Sequence, residues 1–372
     1  MFITLVFFFA VTNVGDKILT DCTRSFIEQL GHQCQILDIQ GRCIINESEN
    51  ENDRLAKIEL SKERNSNKKL LEDYYTNTLK HSNAVIFAGG AILDVISKDI
   101  AEKVWQITNI ANQMKIPVAF NAAGFFGNKF DTPNGDFIKK ALHLPNVIWI
   151  SIRERTDDIK RLLNNDKQFY NCCDTAVWAS EIYSVKRNAS SKIIGINIIN
   201  NKAYKYNSTY NILNLEELYW EIYCKIESAG YSCNFFTNGV NRDYEYAQSI
   251  LDKYGINQNK LINLKESKEG KSFVKMISQF ALIISSRLHT SICAYSLRIP
   301  SLCIPWDDKM VSFYKSIKRE KWLLNTQNVN ELEELIKGAI NENLDDNEYD
   351  SYRKSVKNNI KNLCNKLKTG IL

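Results

Sequence analysis

Residues 281–306 read ALIISSRLHTSICAYSLRIPSLCIPW. The run Ala281 to Ile284 is apolar, rich in branched side chains and as long as a buried parallel strand. A polar turn, Ser285-Ser286-Arg287-Leu288-His289-Thr290, follows, and Ser291 to Leu297 carries a helical pattern. A second apolar run, Ser301 to Ile304, begins just after Pro300. The order strand, turn, helix, strand is one βαβ unit. It puts an arginine and a histidine at the carboxyl edge of a sheet, where open α/β sheets bind ligands.

The turn has the chemistry of an anion site. The start of the following helix offers unbonded N–H groups and a partial positive charge. Ser286, Thr290 and Ser291 carry hydroxyls that can cap the helix or bond a ligand. Arg287 can grip a phosphate or carboxylate with two parallel hydrogen bonds, and His289 lies two residues on. A local ion pair for the arginine and a backbone hydrogen bond for the histidine are the structural alternative.

Outward from this unit the strand–helix rhythm covers the chain. Met1 to Val11 reads as a buried first strand: it is too short to span a bilayer and lacks a basic leader region. Asn13-Val14-Gly15-Asp16 follows, with Asp16 as N-cap of a helix Lys17 to Leu30. Cys34 to Ile39 and Ala84 to Ala88 are further strands, with a polar loop at Asn46 to Asp53 and a helix at Leu70 to Lys80. The second of these strands ends at Gly89-Gly90, ahead of a helix-like Ala91 to Ile96. Gly15, Gly89 and Gly90 read equally as tight turns and as places where a backbone nears a ligand. Pro117 to Ala122 and Val147 to Ile152 are strands, the latter followed by Arg153-Glu154-Arg155. Asp174 reads as a helix cap. The polar, basic stretch Lys186 to Lys192 is the linker candidate, after which the rhythm restarts with strands at Ile193 to Ile198, Ser232 to Thr237 and Leu261 to Leu264. This pattern predicts two Rossmann-like, doubly wound α/β domains with parallel sheets, facing each other across a cleft. Residues 1–187 form the first, 188–345 the second, and 346–372 a closing helix.

A chain of 372 residues is long for one core, and 44% hydrophobic with 24% charged residues is ordinary for a globular protein. The formal charge of +5 is spread among acids, a solvated surface and not a nucleic-acid groove. The ten cysteines form no C-x-x-C pair and sit mostly in apolar runs, which favours a reducing compartment, the cytoplasm. No zinc-like grouping includes the four histidines. The G-x-G-x-x-G spacing of dinucleotide sites is absent.

The block from Ser285 resembles the C-terminal signature of the polysaccharide pyruvyl transferases. The matching positions are Ser285, Arg287, His289, the turn Arg298-Ile299-Pro300, and the aromatic-x-x-Lys of Trp306 and Lys309. Weaker similarities lie at Asn13-x-Gly15-Asp16, at Gly89-Gly90 (with Ala91 where many members carry a third glycine), at Arg153, and at Asp174 (with Thr175 in place of proline). The resemblance implies the two-domain arrangement called GT-B. It also implies transfer of a pyruvyl group from phosphoenolpyruvate to two hydroxyls of one sugar, forming a cyclic ketal. His289 would be the acid/base, and Arg287 would hold phosphate or carboxylate. Ser286, Leu288, Thr290, Arg153 and Lys309 would complete the donor side. Asn13, Gly15, Asp16, Gly89 and Gly90 would face a glycan acceptor that is lipid-linked, nucleotide-linked or polymeric. Beyond phosphoenolpyruvate as co-substrate this chemistry requires no cofactor and no metal, and a lipid-linked acceptor would bring the protein to the inner membrane face as a peripheral visitor. Two other readings stand beside it: a nucleotide-sugar glycosyltransferase of the same fold, and a non-catalytic glycan- or phosphate-binding protein.

Overall fold

The computed structural model describes residues 1–8, 13–43, 50–164, 166–202, 204, 214–263, 269–324, 328–342 and 345–370. The chain divides into two compact units. The first comprises residues 1–11, 19–175 and 353–372, the second 12–18 and 176–352. The chain thus changes unit four times, where the sequence pattern predicts bounds at 187/188 and 345/346.

In the first unit the elements run β1 (Phe2–Phe7), α1 (Val14–Gln29), β2 (Gln33–Asp38), α2 (Glu51–Ser66), α3 (Lys68–Leu79), β3 (Ala84–Phe87) and β4 (Gly90–Asp94). They continue with α4 (Lys98–Gln113), β5 (Val118–Phe126), α5 (Pro133–His143), β6 (Val147–Ile152), α6 (Thr156–Leu163) and β7 (Tyr170–Asn171). The first turn of α1 belongs to the second unit. The sheet order is β2-β1-β3-β5-β6-β7, with β4 also on β5, and every pairing is parallel. Strands such as AVIF at β3 are buried at every position, as a sheet covered on both faces demands.

Three expectations change here. The stretch expected as helix-like, Ala91 to Ile96, begins instead as β4. Gly89 and Gly90 take φ of +107° and +72°, so the chain turns and re-enters the sheet beside β5. A Cβ at Gly90 would lie 2.7 Å from the Phe7 ring, and one at Gly89 3.0 Å from the Asn121 carbonyl oxygen, so close packing fixes both glycines. Helix α1 begins at Val14, not Lys17: Asn13 accepts from the Gly15 N–H at 3.3 Å, and Asp16 lies in the first turn. The loop expected over Asn46 to Asp53 gives way to α2 from Glu51, residues 46–49 lying outside the described set. The same holds for residues 9–11 of the expected first strand.

In the second unit the elements are α7 (Ala179–Ile182), β8 (Ile193–Asn197), α8 (Leu215–Ser228), β9 (Ser232–Phe236), α9 (Asn241–Lys253), α10 (Gly270–Ile277) and β10 (Leu282–Ser285). After them come α11 (Leu288–Ser296), β11 (Ser301–Cys303), α12 (Asp308–Ser316), α13 (Leu332–Asn341) and α14 (Asp346–Thr369). Residues of α14 from Arg353 onward belong to the first unit. The sheet order is β11-β10-β8-β9, again all parallel. The strand expected at Leu261 to Leu264 is a single bridge, Phe235 to Leu261, and Leu264 lies outside the described residues. The linker candidate Lys186 to Lys192 is part of this unit. Arg187 Nη1 donates to the Arg298 carbonyl at 2.8 Å, and the Asn188 N–H to that of Ser278 at 2.9 Å. Its polar residues satisfy carbonyls where strands and helices end.

Counting from β8, the second sheet runs second, first, third, fourth. The chain therefore leaves β8 to one side for β9 and to the other for β10. The switch point lies between the carboxyl ends of β8 and β10, which are Asn197 and Ser285. No helix among the described residues is long and apolar enough to cross a membrane.

Candidate functional site

Helix α11 starts at Leu288, three residues before the expected Ser291, so Arg287 is its N-cap and His289 lies in its first turn. Arg287 keeps extended backbone angles, φ −135° and ψ 131°. Ser285 fixes that bend: its hydroxyl donates to the Arg287 carbonyl at 2.8 Å and accepts from the Arg287 N–H at 3.2 Å.

The Arg287 guanidinium is held from one side. Its Nε donates to Asp243 Oδ2 at 3.1 Å, and Nη2 bonds the same oxygen. Asp243, in the first turn of α9, is fully buried. Its other oxygen accepts from the Asn200 backbone N–H at 3.0 Å and the Asn200 side-chain amide at 2.6 Å. Among the described residues Arg287 Nη1 makes no hydrogen bond. The guanidinium carbon also lies 5.8 Å from the centre of the Trp306 ring. Lys309 Nζ stands 5.0 Å from that same ring and pairs with Asp307 at 2.8 Å. The indole is pinned in turn, its Nε1 donating to the Ser286 carbonyl at 2.7 Å. One aromatic side chain thus gathers both cations.

His289 is 7% exposed and packs against the start of α1. A Cβ on Gly15 would fall 2.5 Å from His289 Cγ and 2.6 Å from its Cβ, so only glycine admits the ring there. The start of α1 is tied to this unit by the Val14 N–H, which donates to the Asn238 carbonyl at 3.1 Å. The Asn238 side-chain oxygen accepts from Thr290 Oγ1 at 2.8 Å and Asn197 Nδ2 at 3.0 Å. Asn13, Gly15 and Asp16, expected with the first domain, therefore join His289 in the second unit.

The expected hydroxyl ligands have internal tasks. All nine residues of α11 are buried, so their polar groups must find partners inside. Thr290 bonds Asn238, and Ser291 accepts from Tyr314 at 3.3 Å. Ser286, also buried, shares a 2.7 Å bond with the Tyr219 hydroxyl, whose pKa is raised by burial against the weaker pull of that bond. Leu288 is 6% exposed and packs in the core.

Arg153 stands in the first unit, as do Gly89 and Gly90. Its Nε bonds Glu154 at 2.9 Å and its Nη1 bonds Asp174. Burial acts to lower its pKa, yet the two carboxylates outweigh it and the pKa is raised. Asp174, which directly precedes the short 3-10 helix Thr175–Trp178, also pairs with Arg153. Gly124 makes room, since a Cβ there would lie 2.7 Å from Arg153 Nε.

Sequence reasoning missed Asp243, Asn238 and Asn200. An acid in a helix's first turn is ordinary capping chemistry, so Asp243 carried no signal of its own. A usable hint was position: all three follow strand ends on the edge that bears Arg287.

The family model described as polysaccharide pyruvyl transferase matches residues 13–308. A search of curated proteins finds no match. Among solved structures, UDP-GlcNAc 2-epimerase from Methanocaldococcus jannaschii is 13% identical at a TM-score of 0.58, over 98% of this chain and 100% of that one. The enzyme from Neisseria meningitidis bound to UDP-GlcNAc is 14% identical at 0.57, over 99% and 100%. These likenesses show the fold, two α/β parallel-sheet domains of GT-B type.

Proposed function

This chain belongs to the polysaccharide pyruvyl transferase family, and from that premise we propose that it takes a pyruvyl group from phosphoenolpyruvate and builds a cyclic ketal on a sugar diol. The observation that carries the reading is the placement of Arg287 and His289, two residues apart, at the switch point of the second sheet, with Lys309 on the same indole as Arg287. Phosphoenolpyruvate has a phosphate and a carboxylate close together, the kind of guest that a rigid guanidinium and a mobile ammonium suit.

In this reading a proton is delivered to C3 as one sugar hydroxyl oxygen bonds to C2, and that hydroxyl gives up its own proton. The second hydroxyl then bonds to C2 as the C2–O bond to phosphate breaks, its proton passes to a base or to the departing phosphate, and inorganic phosphate leaves. His289 is the proton donor and acceptor in this reading. Arg287 and Lys309 hold the anion and stabilise charge on the departing phosphate. The acceptor is a surface glycan or its precursor. All ten cysteines are free thiols, in keeping with action in the cytoplasm.

Calorimetric titration with phosphoenolpyruvate, then phosphate release with a library of glycan acceptors, tests the reading. Binding and acceptor-dependent release are expected. Failure to bind phosphoenolpyruvate, with saturable binding of a UDP- or GDP-sugar, would replace it with glycosyl transfer.

A further inference from the structure

The candidate site brings a carboxylate to a place meant for an anion. Asp243 is fully buried, and its oxygens have divided tasks. Oδ2 takes the Nε and Nη2 of Arg287, and Oδ1 takes the backbone and side-chain N–H groups of Asn200. Four donors therefore converge on one carboxylate, which cannot rotate without losing them. Asn200 and Asp243 lie beyond the carboxyl ends of β8 and β9, and Arg287 beyond that of β10, so the three strand ends are linked through one side chain.

Two physical effects of this carboxylate oppose each other. Its negative charge weakens the field that an incoming anion meets at Arg287. Its hydrogen bonds fix a guanidinium that would otherwise sample several rotamers and lose conformational entropy when it bound a ligand. A carboxylate near a bound anion is tolerable only where orientation outweighs repulsion. The geometry favours orientation, because the pair occupies the Nε and Nη2 side of the fork, while Nη1 makes no hydrogen bond among the described residues and the Trp306 ring stands 5.8 Å from the guanidinium carbon.

We infer that Asp243, braced by Asn200, is a positioning residue that sets Arg287 for the phosphate or carboxylate of phosphoenolpyruvate. This rests on the donor reading given above.

The test compares wild type with Asp243→Asn, Asn200→Ala and Arg287→Ala in the full chain, by calorimetry with phosphoenolpyruvate and by kinetics. Asp243→Asn is expected to weaken binding about 10- to 100-fold, as when a group that orients a ligand-bearing residue is removed. The loss should fall on KM for phosphoenolpyruvate more than on kcat and leave KM for the acceptor alone. Asn200→Ala should give a smaller loss in the same direction. A second readout needs no ligand: the Arg287 Nε–H signal in nitrogen-edited NMR should shift on Asp243→Asn, showing the pair exists in solution.

Binding by Asp243→Asn as tight as wild type, or tighter, would overturn the positioning role and leave the carboxylate a counter-charge. An unmoved Arg287 signal would overturn it even if the variant folded poorly. Absence of phosphoenolpyruvate binding by wild type is a different failure, that of the donor reading itself.

Discussion

Arg153 and Arg287 each stand just past the carboxyl end of a parallel strand, one in each unit, and both were sequence candidates for the donor. Arg153 meets two carboxylates, Glu154 and Asp174, and its side chain is 6% exposed. Arg287 meets one among the described residues, Asp243, on one side, and its side chain is 16% exposed. The first arrangement satisfies a buried guanidinium with more negative charge than it carries. The second leaves an edge of the fork for something else. In the proposed reading an arginine at a strand end is an ion-pair anchor or a ligand grip according to how many acids face it.

The largest expected effect lies beside Arg287. His289→Ala should cut phosphate release about 10²- to 10⁴-fold, the usual share of a general acid–base group, as read in a coupled phosphate assay with acceptor. Retained turnover would remove His289 from the chemistry and erase the contrast between the two edges.

Arg153→Met should act on folding. It leaves Glu154 and Asp174 buried without their cation, at a cost of about 3–5 kcal/mol, measurable by urea unfolding. The folded fraction should bind phosphoenolpyruvate as wild type does. Normal stability with lost donor binding would exchange the roles of the two arginines.

Lys309→Met should raise KM for phosphoenolpyruvate by about tenfold or less, because its partly solvated pair with Asp307 must open before it serves a ligand, and such pairs are worth about 1 kcal/mol or less. A larger loss in steady-state kinetics would make Lys309 the principal grip.

The effect that is smallest near neutral pH touches both units alike. Burial raises the thiols of Cys34, on β2, and Cys233, on β9, to about 12. Unfolded thiols ionise near their ordinary value of 9. Between those values the unfolded chain holds fewer protons, so stability falls as pH rises through that window. The slope of Tm against pH above 9 should be shallower in Cys34→Ala/Cys233→Ala; an unchanged slope would mean that neither thiol contributes.

Much of this was legible in the sequence. The apolar runs and helical periods located both parallel sheets, and the strand-to-helix step at Arg287 marked the candidate site. Long-range packing hid the rest. Gly89-Gly90 announced a turn, but only the Phe7 ring and positive φ show that the chain re-enters the sheet as β4. Lys186 to Lys192 looked like a link because hydrogen bonds to the carbonyls of Ser278 and Arg298 have no sequence signature. Asp243 pairs with a residue 44 positions later, a relation that only the fold makes.

The glycine that admits His289 also sets a timetable. Gly15 is translated roughly 270 residues ahead of the imidazole it backs, which at about 5–20 residues per second is a wait of about a quarter of a minute to a minute. Until then the opening of α1 has no histidine to settle against, and a fragment confined to residues 176–352 would lack that wall for good. The nascent chain must keep its earliest helix available for its latest sheet.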